Sequence, residues 1–349
     1  MATQVRSVAH RAGRSAAESG GGRGGEQPFA RGDCANARTG VGAKKIAGHP
    51  LRNARERFAQ VEAMKGEHPI KLLCRVLQVS RSGYYRWKKS PCSARKLRDA
   101  ELAAKIAAAH RKGRGNYGAP RIVRELRDQG TPISQRRCAR LMHEMKLQGR
   151  KRHRRKPRTT DSQHGKPVPA NQLAERPAPT GPNQTWVTDI TFLKTAEGWL
   201  YLAVILDLWS RRVVGWACAL TLHASLALAA LYRALDQRKP PVGLLHHSDR
   251  GGQYVDTDYV NALTAAGVDR SMSAAGNCYD NAFAESFFST FKTESGIEEQ
   301  IPATRREAEL VTFDYIETFY NPTRRHSSLG YLSPVAFEKQ STSKYIKAA

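Results

Sequence analysis

Residues Thr185 to Ala217 read TWVTDITFLKTAEGWLYLAVILDLWSRRVVGWA. Three runs within this stretch, Thr185–Leu193, Trp199–Leu208 and Arg211–Ala217, are rich in β-branched and aromatic residues. Such residues favour strands, and the connections between the runs are only a few residues long. The stretch therefore predicts three strands in an antiparallel meander.

Helices and strands alternate after the meander. The Ala- and Leu-rich segment Ala224–Arg238 predicts a helix, which Pro240-Pro241 ends. Three strands in hairpins followed by alternating elements are typical of an α/β domain with a mixed five-stranded sheet and flanking helices. We assign residues 183–340 to this domain and 341–349 to a tail. The later elements are predicted as a strand, a helix, a strand and two helices at Val242–His247, Tyr254–Ala266, Val268–Ser273, Asn281–Glu294 and Arg305–Tyr320.

An all-helical block at residues 55–92 precedes this domain. Phe58, Val61 and Met64 are spaced as one helical face, and Pro69 opens a second helix. Ser80 follows after a short turn and is predicted to cap a third helix. This order is typical of a helix-turn-helix, in which the second helix of the motif offers its first turns to the major groove. The residues predicted to face DNA are Arg81, Ser82 and Arg86.

A second helical block spans residues 93–149. Pro120 begins one of its helices, Gly130 ends that helix, and Ser134 begins the next. The basic residues cluster at this last helix, so we predict a second DNA-binding helix-turn-helix. For both blocks the alternative is a helical hairpin that only packs against its neighbours. The residues predicted to contact DNA here are Arg121, Gln135, Arg136 and Arg137.

Two segments lack hydrophobic periodicity. Residues 1–54 include a Gly-rich run and are predicted to be a disordered leader. Residues 150–182 are predicted to be a basic linker, since Arg150 to Arg158 carries seven Lys or Arg in nine positions. Like charges at that density keep a segment extended, and it either follows DNA phosphates or serves as a solubilising tether. We favour the first reading, with phosphate contacts from Arg152, Arg154, Arg155 and Lys156.

The composition of the 349-residue chain supports a polyanionic partner. Lys and Arg number 57 against 31 Asp and Glu, which gives a net charge of +26 and a pI of about 10.2. Such a charge balance favours nucleic acid. The six cysteines include no Cys-x-x-Cys pair, which argues against a zinc ribbon and a disulfide scaffold. No run approaches the roughly 18 apolar residues of a membrane span.

Three carboxylates stand out within the α/β domain. Asp189 and Asp249 lie in or at the end of apolar, strand-like runs, and Glu285 lies on a helical run. Carboxylates beside apolar strands are costly to bury unless a cation pairs with them, and oxygen ligands suit Mg²⁺. Lys292 lies two turns beyond Glu285 on the same face and is predicted to contact DNA phosphate. The alternative for Glu285 is an ordinary amphipathic surface helix.

Other candidate groups have simpler explanations. Asp207 ends a strand next to Ser210 and two arginines, so turn capping or an Arg pair accounts for it. Asp280 precedes a helix and is predicted to be its N-cap. His246 and His247 are adjacent on a strand and point to opposite faces, so they do not share one metal.

Four motifs carry a resemblance to a known family. They are Trp186-x-x-Asp189-Ile190-Thr191, then His247-Ser248-Asp249 through Tyr254, then Asn277 through Glu285 to Phe288 with Lys292, and finally Tyr320-Asn321 through Arg325-His326 to Pro334. In this order they resemble bacterial insertion-sequence transposases of the IS-three family, over about residues 55–340. The catalytic part is similar to the retroviral-integrase core, which implies a ribonuclease-H-like fold.

The resemblance implies a mechanism. The family's acidic triad maps onto Asp189, Asp249 and Glu285, with two Mg²⁺ ions, or Mn²⁺ as a substitute, on both sides of the scissile phosphate. Asp189 would bridge the metals. The 3′ end of the element is hydrolysed first, and the freed 3′-hydroxyl then attacks target DNA. The alternatives are a structure-specific nuclease on the same fold and a DNA-binding regulator whose catalytic domain is inactive.

The resemblance also implies partners. They are the terminal inverted repeats, target DNA and further copies of the chain assembled on DNA. In this family an upstream reading frame supplies a DNA-binding and coiled-coil segment, which makes its product a further partner, and we expect residues 1–50 to lack that segment. The expected location is the bacterial cytoplasm, at the nucleoid.

Overall fold

The computed structural model describes residues 53–89, 94–151, 168–274 and 281–348. The chain divides into two compact units, Met1–Glu101 and Leu102–Ala349. Several predicted features lie outside the described residues. They are all but the last two residues of the predicted leader, the Asn277–Asp280 part of the third motif, and Arg152, Arg154, Arg155 and Lys156 of the basic run.

In its described residues up to Lys89, the first unit has three short helices, α1 (Ala54–Met64), α2 (Ile70–Val76) and α3 (Arg81–Lys89). Ser80 Oγ accepts a hydrogen bond from the Gly83 amide at 3.0 Å, so the predicted cap of α3 is confirmed. The apolar faces of the three helices enclose a small core of Val61, Leu73, Cys74 and Tyr84.

The second helical block consists of α4 (Ala94–Lys112), α5 (Ala119–Asp128) and α6 (Gln135–Glu144). Ser134 Oγ accepts from the Arg137 amide at 3.3 Å, which confirms the predicted start of α6. From Leu102 onward this block belongs to the same compact unit as the sheet. The two parts share one apolar core, which includes Tyr117, Ile122 and Leu126 together with Phe319 and Tyr320.

The sheet has five strands in the order β3-β2-β1-β4-β5. The first three strands pair antiparallel, whereas β4 pairs parallel to β1 and β5 parallel to β4. This confirms the predicted meander and the mixed five-stranded sheet. The strands are β1 (Thr185–Thr195), β2 (Gly198–Asp207), β3 (Val213–Ala219), β4 (Leu245–Ser248) and β5 (Asp269–Met272).

Helices cover both faces of the sheet. The helices after the meander are α7 (Ala224–Arg238), α8 (Thr257–Ala265), α9 (Ala282–Ser295), α10 (Arg305–Phe313) and α11 (Pro334–Ala348). Helices α7 and α8 pack on the face that carries Trp186, and α9 packs on the face that carries Val187. Gly215 lets α7 approach β3, because a Cβ there would stand 2.4 Å from the Ala230 carbonyl oxygen. None of the described helices combines the length and apolar character needed to cross a bilayer.

Three predicted elements differ from the observed ones. The predicted helix Arg305–Tyr320 becomes π-helical from Asp314 to Tyr320, which buries four side chains of that segment together. The predicted helix Tyr254–Ala266 splits into a short 3₁₀ turn and α8, because Asp256 caps α8 by accepting from the Asp258 amide at 3.1 Å. The backbone of the predicted tail continues α11 as far as Ala348.

Candidate active site

The parallel pairing of β1 and β4 places Asp189 beside Asp249. The last paired residues of the two strands are Val187 and His247, and each acid lies two residues further along its own segment. Side chains alternate along a strand, and neighbouring strands lie about 4.8 Å apart. Strand spacing therefore brings the two carboxylates to neighbouring positions on the face that α9 covers.

Backbone amides orient both aspartates. Asp189 Oδ1 accepts from the Ile190 amide at 2.8 Å, and Asp249 Oδ1 accepts from the Gly251 amide at 3.0 Å. A Cβ at Gly251 would stand 3.1 Å from Asp249 Oδ1, so a glycine gives the loop room to fold close to the carboxylate. The backbone of the loop after β4 therefore folds closely against the Asp249 carboxylate.

Helix α9 brings Glu285 to the same region. The Asn281 side chain donates to the Thr188 carbonyl at 3.2 Å, which anchors the start of the helix one residue before Asp189. Asn281, rather than the predicted Asp280, occupies the N-cap position, and Asp280 lies outside the described residues. Glu285 is exposed in the first turn. The predicted apolar stripe of this helix is confirmed, since the buried residues are Ala284, Phe287, Phe288 and Phe291.

The three carboxylates share one electrostatic environment. Burial raises the pKa of Asp189 well above its ordinary value, and the charges of Asp249 and Glu285 raise it further. Burial also raises the pKa of Tyr254, again with help from Asp249 and Asp189. The charges of Asp249 and Glu285 therefore disfavour the ionisation of Asp189, and a bound cation would relieve this repulsion.

This donor set fits a hard divalent cation. All three groups offer carboxylate oxygens, the ligands that Mg²⁺ prefers in proteins. Among the described residues, however, no three His, Cys, Asp or Glu side chains stand close enough to enclose an ion. Glu285 is exposed and has rotamer freedom, so it is the member of the set that would move to complete a site.

Lys292 lies two turns beyond Glu285 on α9, where the prediction placed it. Its side chain is 20% exposed, and its Nζ stands 3.8 Å from Glu298 Oε1. Burial lowers the pKa of Lys292, and the charge of Glu298 opposes that shift. The Lys292 ammonium is therefore partly buried on the same face of α9 as Glu285.

Asp207 is a turn cap, as its position predicts. It is fully buried at the end of β2 and accepts from the backbone amides of Asn183 at 2.6 Å, Trp209 at 3.0 Å and Ser210 at 2.9 Å. Backbone donors therefore account for its carboxylate without a metal.

We expect Asp207→Asn to lower stability without changing metal-dependent chemistry. An amide NH₂ would replace one accepting oxygen and face backbone donors, and an unsatisfied buried group costs about 1–3 kcal/mol. Thermal melts would report this loss, and strand-transfer assays normalised to folded protein would remain at the wild-type level. Lost activity with an unchanged melting temperature would instead place Asp207 among the metal ligands.

The two histidines point to opposite faces of the sheet, as predicted. His246 Nε2 lies 3.1 Å from the Tyr259 hydroxyl, whereas His247 contacts Ser271 Oγ at 2.9 Å and Ser273 Oγ at 3.1 Å. Burial lowers the pKa of His246 to about 3. Both rings are buried core groups with hydroxyl partners.

The residues predicted to contact DNA fall in different settings. On α3, Arg81, Ser82 and Arg86 are exposed, and on α6, Gln135 and Arg136 are exposed while Arg137 is half-buried. Arg121 differs from its predicted DNA-facing position. Its guanidinium lies over the Tyr117 ring and pairs with Glu294 at 3.5 Å, because this side of α5 packs on the α/β domain.

Sequence reasoning did not single out several residues that shape the site. Asn281 anchors α9 to β1, and Glu294 and Arg324 form a buried ion pair at the other end of that helix. The last of the four sequence motifs contains Arg324, but its partner lies thirty residues away along the chain. No spacing pattern within either segment reveals such a pair.

Family models match most of the described chain. A model for an integrase core domain matches residues 179–278, another integrase core model matches 266–334, and a helix-turn-helix-like model matches 96–156. The last match confirms the helix-turn-helix prediction for the second helical block. The integrase core matches, together with the observed sheet, confirm the predicted fold.

Two solved structures are similar to parts of this chain at low sequence identity. The simian T-cell lymphotropic virus intasome in complex with PP2A regulatory subunit B56 gamma has a TM-score of 0.39 at 14% identity, covering 59% of this chain and 67% of that one. The HTLV-2 integrase catalytic core domain in complex with magnesium has a TM-score of 0.35 at 15% identity, covering 46% and 98%.

The relatives in sequence are much closer. The insertion element IS600 uncharacterized 31 kDa protein of Shigella sonnei is 45% identical over 269 residues, 77% of this chain and 98% of that protein. The transposase InsF for insertion sequence IS3A of Escherichia coli (strain K12) is 41% identical over 286 residues, 81% of this chain and 99% of that protein. Identity at this level over almost the whole of both relatives means that the chain belongs to the IS3 family of insertion-sequence transposases.

Proposed function

We propose that this transposase cleaves DNA at the ends of its insertion sequence and joins the freed 3′-hydroxyl to target DNA in a reaction that needs divalent metal. The observation that carries the proposal is the placement of Asp189, Asp249 and Glu285 in one region of the α/β domain. Each carboxylate comes from a different element, and the last two raise the pKa of the first. Two acidic charges that disfavour the ionisation of a third carboxylate are a costly arrangement, which a bound cation would offset.

Asp189, Asp249 and Glu285 would hold the metal. When bound, a pair of Mg²⁺ ions, for which Mn²⁺ would substitute, activates the attacking oxygen and stabilises the leaving oxygen of a phosphodiester. Gly251 and Ile190 keep the two aspartates oriented through their backbone amides. Lys292 would hold a DNA phosphate on the same face of α9 as Glu285.

In this scheme the attacking group is a water molecule in the first step and a DNA 3′-hydroxyl in the second. The phosphorus–oxygen bond that forms replaces the one that breaks, and the leaving 3′-oxygen takes up a proton. The protein supplies orientation and charge rather than a nucleophile. No covalent protein–DNA intermediate arises.

Sequence recognition is assigned to the exposed first turns of α3 and α6. Their exposed side chains include arginine and glutamine, which read guanine and adenine edges in the major groove. The chain would assemble into a dimer or larger complex on paired terminal repeats, since joining two ends needs two active sites or one used twice. The upstream-frame product of the same element is a further proposed partner, and the nucleoid is the proposed site of action.

The decisive experiment uses the purified chain with DNA that carries the inverted repeats flanking its own gene, a target plasmid and Mg²⁺. We expect nicked ends with free 3′-hydroxyls, then joined products, and neither of them in the presence of a chelator. Light scattering is expected to show more than one protomer per pair of ends. Cleavage without joining would favour the nuclease alternative, and specific binding without cleavage would favour the regulator.

A further inference from the structure

The last turn of α9 is capped by two side chains, one from the second helical block and one from Arg150, the first residue after that block. Carbonyls in the last turn of a helix have no partner within the helix. Arg150 Nη1 donates to the Thr293 and Glu294 carbonyls at 3.1 and 3.3 Å, and Asn116 Nδ2 donates to the Glu294 carbonyl at 3.3 Å. We call residues 102–151, which supply both donors, the helical module.

The side chain of Glu294 is the centre of a buried ionic network. Arg324 binds it through two parallel contacts, Nε to Oε2 at 2.6 Å and Nη2 to Oε1 at 2.7 Å. Only 7% and 8% of these two side chains are exposed. The Tyr315 hydroxyl donates to Glu294 Oε2 at 3.0 Å, and Arg121 of the helical module stands 3.5 Å from Oε1.

A second ionic joint holds the helical module to the same C-terminal segment. Arg325, the neighbour of Arg324, binds the buried carboxylate of Glu125 at 2.6 Å. The Tyr117 hydroxyl accepts from the Arg325 amide at 3.0 Å and lies 3.2 Å from the Thr323 carbonyl. Arg324 therefore binds α9, and the adjacent Arg325 binds the helical module. The C-terminal segment that carries both arginines fixes α9 and the helical module relative to each other.

A helix transmits the position of one end to the other. Glu294 lies nine residues after Glu285, which is about 13.5 Å at 1.5 Å per residue, and Lys292 lies between them. The start of α9 is tied to β1 by Asn281, and its end is tied to the helical module and to Arg324. A shift of the second attachment along the helix axis would move Glu285 relative to Asp189 and Asp249.

We propose that Glu294 is a positioning residue for the reaction and that Asn116 and Arg150 act with it. Together they set where α9 lies along its axis, and therefore where Glu285 and Lys292 meet metal and DNA. The helical module is then part of the catalytic unit as well as a DNA-binding element. This inference rests on the proposed metal-dependent function.

The test compares Asn116→Ala, Arg150→Ala and Glu294→Gln with Arg306→Ala, a control that loses only the exposed pair to Glu309. Mn²⁺ affinity, measured by calorimetry on the full-length protein, is expected to fall about tenfold or more in the first three variants, since groups that orient metal ligands contribute about 10–100-fold. The Mg²⁺ concentration for half-maximal joining should rise in parallel, and high Mg²⁺ should restore the rate. The control should match the wild type.

A second readout needs neither metal nor activity. Hydrogen exchange of the amides around Glu285 is expected to accelerate in Asn116→Ala and Arg150→Ala, although both substitutions lie at the far end of α9. Asn116→Ala also leaves the charge of the DNA-binding surface unchanged, so its affinity for end DNA should stay at the wild-type level. Glu294→Gln is the most severe variant because it disrupts a buried ion pair. If Glu294→Gln fails to fold, Asn116→Ala and Arg150→Ala still test the inference.

Two results separate the possible failures. A lower melting temperature with wild-type Mn²⁺ affinity, Mg²⁺ midpoint and exchange around Glu285 would make the network merely structural and overturn the inference. A wild-type chain that neither binds Mn²⁺ nor joins DNA would overturn the proposed function instead. In that case the exchange measurement would still report whether the helical module holds the start of α9.

Discussion

Asp189→Asn, Asp249→Asn and Glu285→Gln are each expected to abolish cleavage and joining, with losses of at least about 10²- to 10³-fold, the cost of removing one preorganised electrostatic group from an active site. Each substitution keeps the size of the side chain and removes a charge that would hold metal. Binding to end DNA should be unchanged, because recognition is assigned to α3 and α6. Gel-based joining assays and fluorescence anisotropy would measure the two properties separately.

The same Asp189→Asn variant should melt at a higher temperature than the wild type when metal is absent. The folded pKa of Asp189 lies above its ordinary value of 3.8. Between those two values the folded state binds more protons than the unfolded state, so stability falls as the pH rises through this window. An amide has no such ionisation and escapes the loss. Added Mg²⁺ should reverse the order of the two melting temperatures.

Asp236→Asn is the matched control, because this aspartate is exposed on α7. It should join DNA at the wild-type rate and melt at the wild-type temperature. If any triad variant joins DNA at near the wild-type rate, that residue is not a metal ligand. If Asp189→Asn is inactive and also melts lower without metal, the carboxylate is structural.

The basic run gives the largest expected effect on DNA affinity. Replacing the six Lys and Arg residues of Lys151–Arg158 by Gln should flatten the dependence of log affinity on log salt by up to about 5, since each phosphate contact contributes about 0.9. Arg150 is kept, because it caps α9. Titrations with end DNA and with random DNA at several salt concentrations would measure both slopes. The preference between the two DNAs should persist.

Substitutions on α6 should instead change the sequence preference and leave the salt dependence of binding almost unchanged. Gln135→Ala and Arg136→Ala are expected to reduce the preference for the terminal repeats by about 1–3 kcal/mol for each base contact that is lost. The salt slope should change little. If the basic-run variant instead alters which sequence is preferred, that segment reads bases and is not a nonspecific phosphate contact.

The elements that local pattern governs were predictable from the sequence. Strand periodicity and short turns gave the meander, and the angular spacing on α9 placed Glu285 and Lys292 on a face beside the buried phenylalanines. Ser80 and Ser134 marked helix starts because their capping chemistry is local. Asp207 could be separated from Asp189, Asp249 and Glu285 for the same reason, since turn capping is also local.

Features that depend on distant contacts were not predictable. The π-helical segment Asp314–Tyr320 has an ordinary amphipathic sequence, and its wider turn is coupled to how four side chains pack in the core. Arg121 was predicted to contact DNA as one of the basic residues of the proposed second helix-turn-helix. Its partner Glu294 lies more than 170 residues away along the chain, and only the fold brings the two together.

The shared core of the second helical block and the sheet determines where this transposase can be retargeted. Exchanging residues up to about Glu101 for another sequence-reading domain would leave the unit Leu102–Ala349 whole. Exchanging everything before the basic linker would instead remove Tyr117, Ile122 and Leu126 from an apolar core. It would also remove Glu125, the ion-pair partner of Arg325. Engineered chimaeras therefore have their usable junction inside α4, well ahead of the linker that the charge pattern suggests.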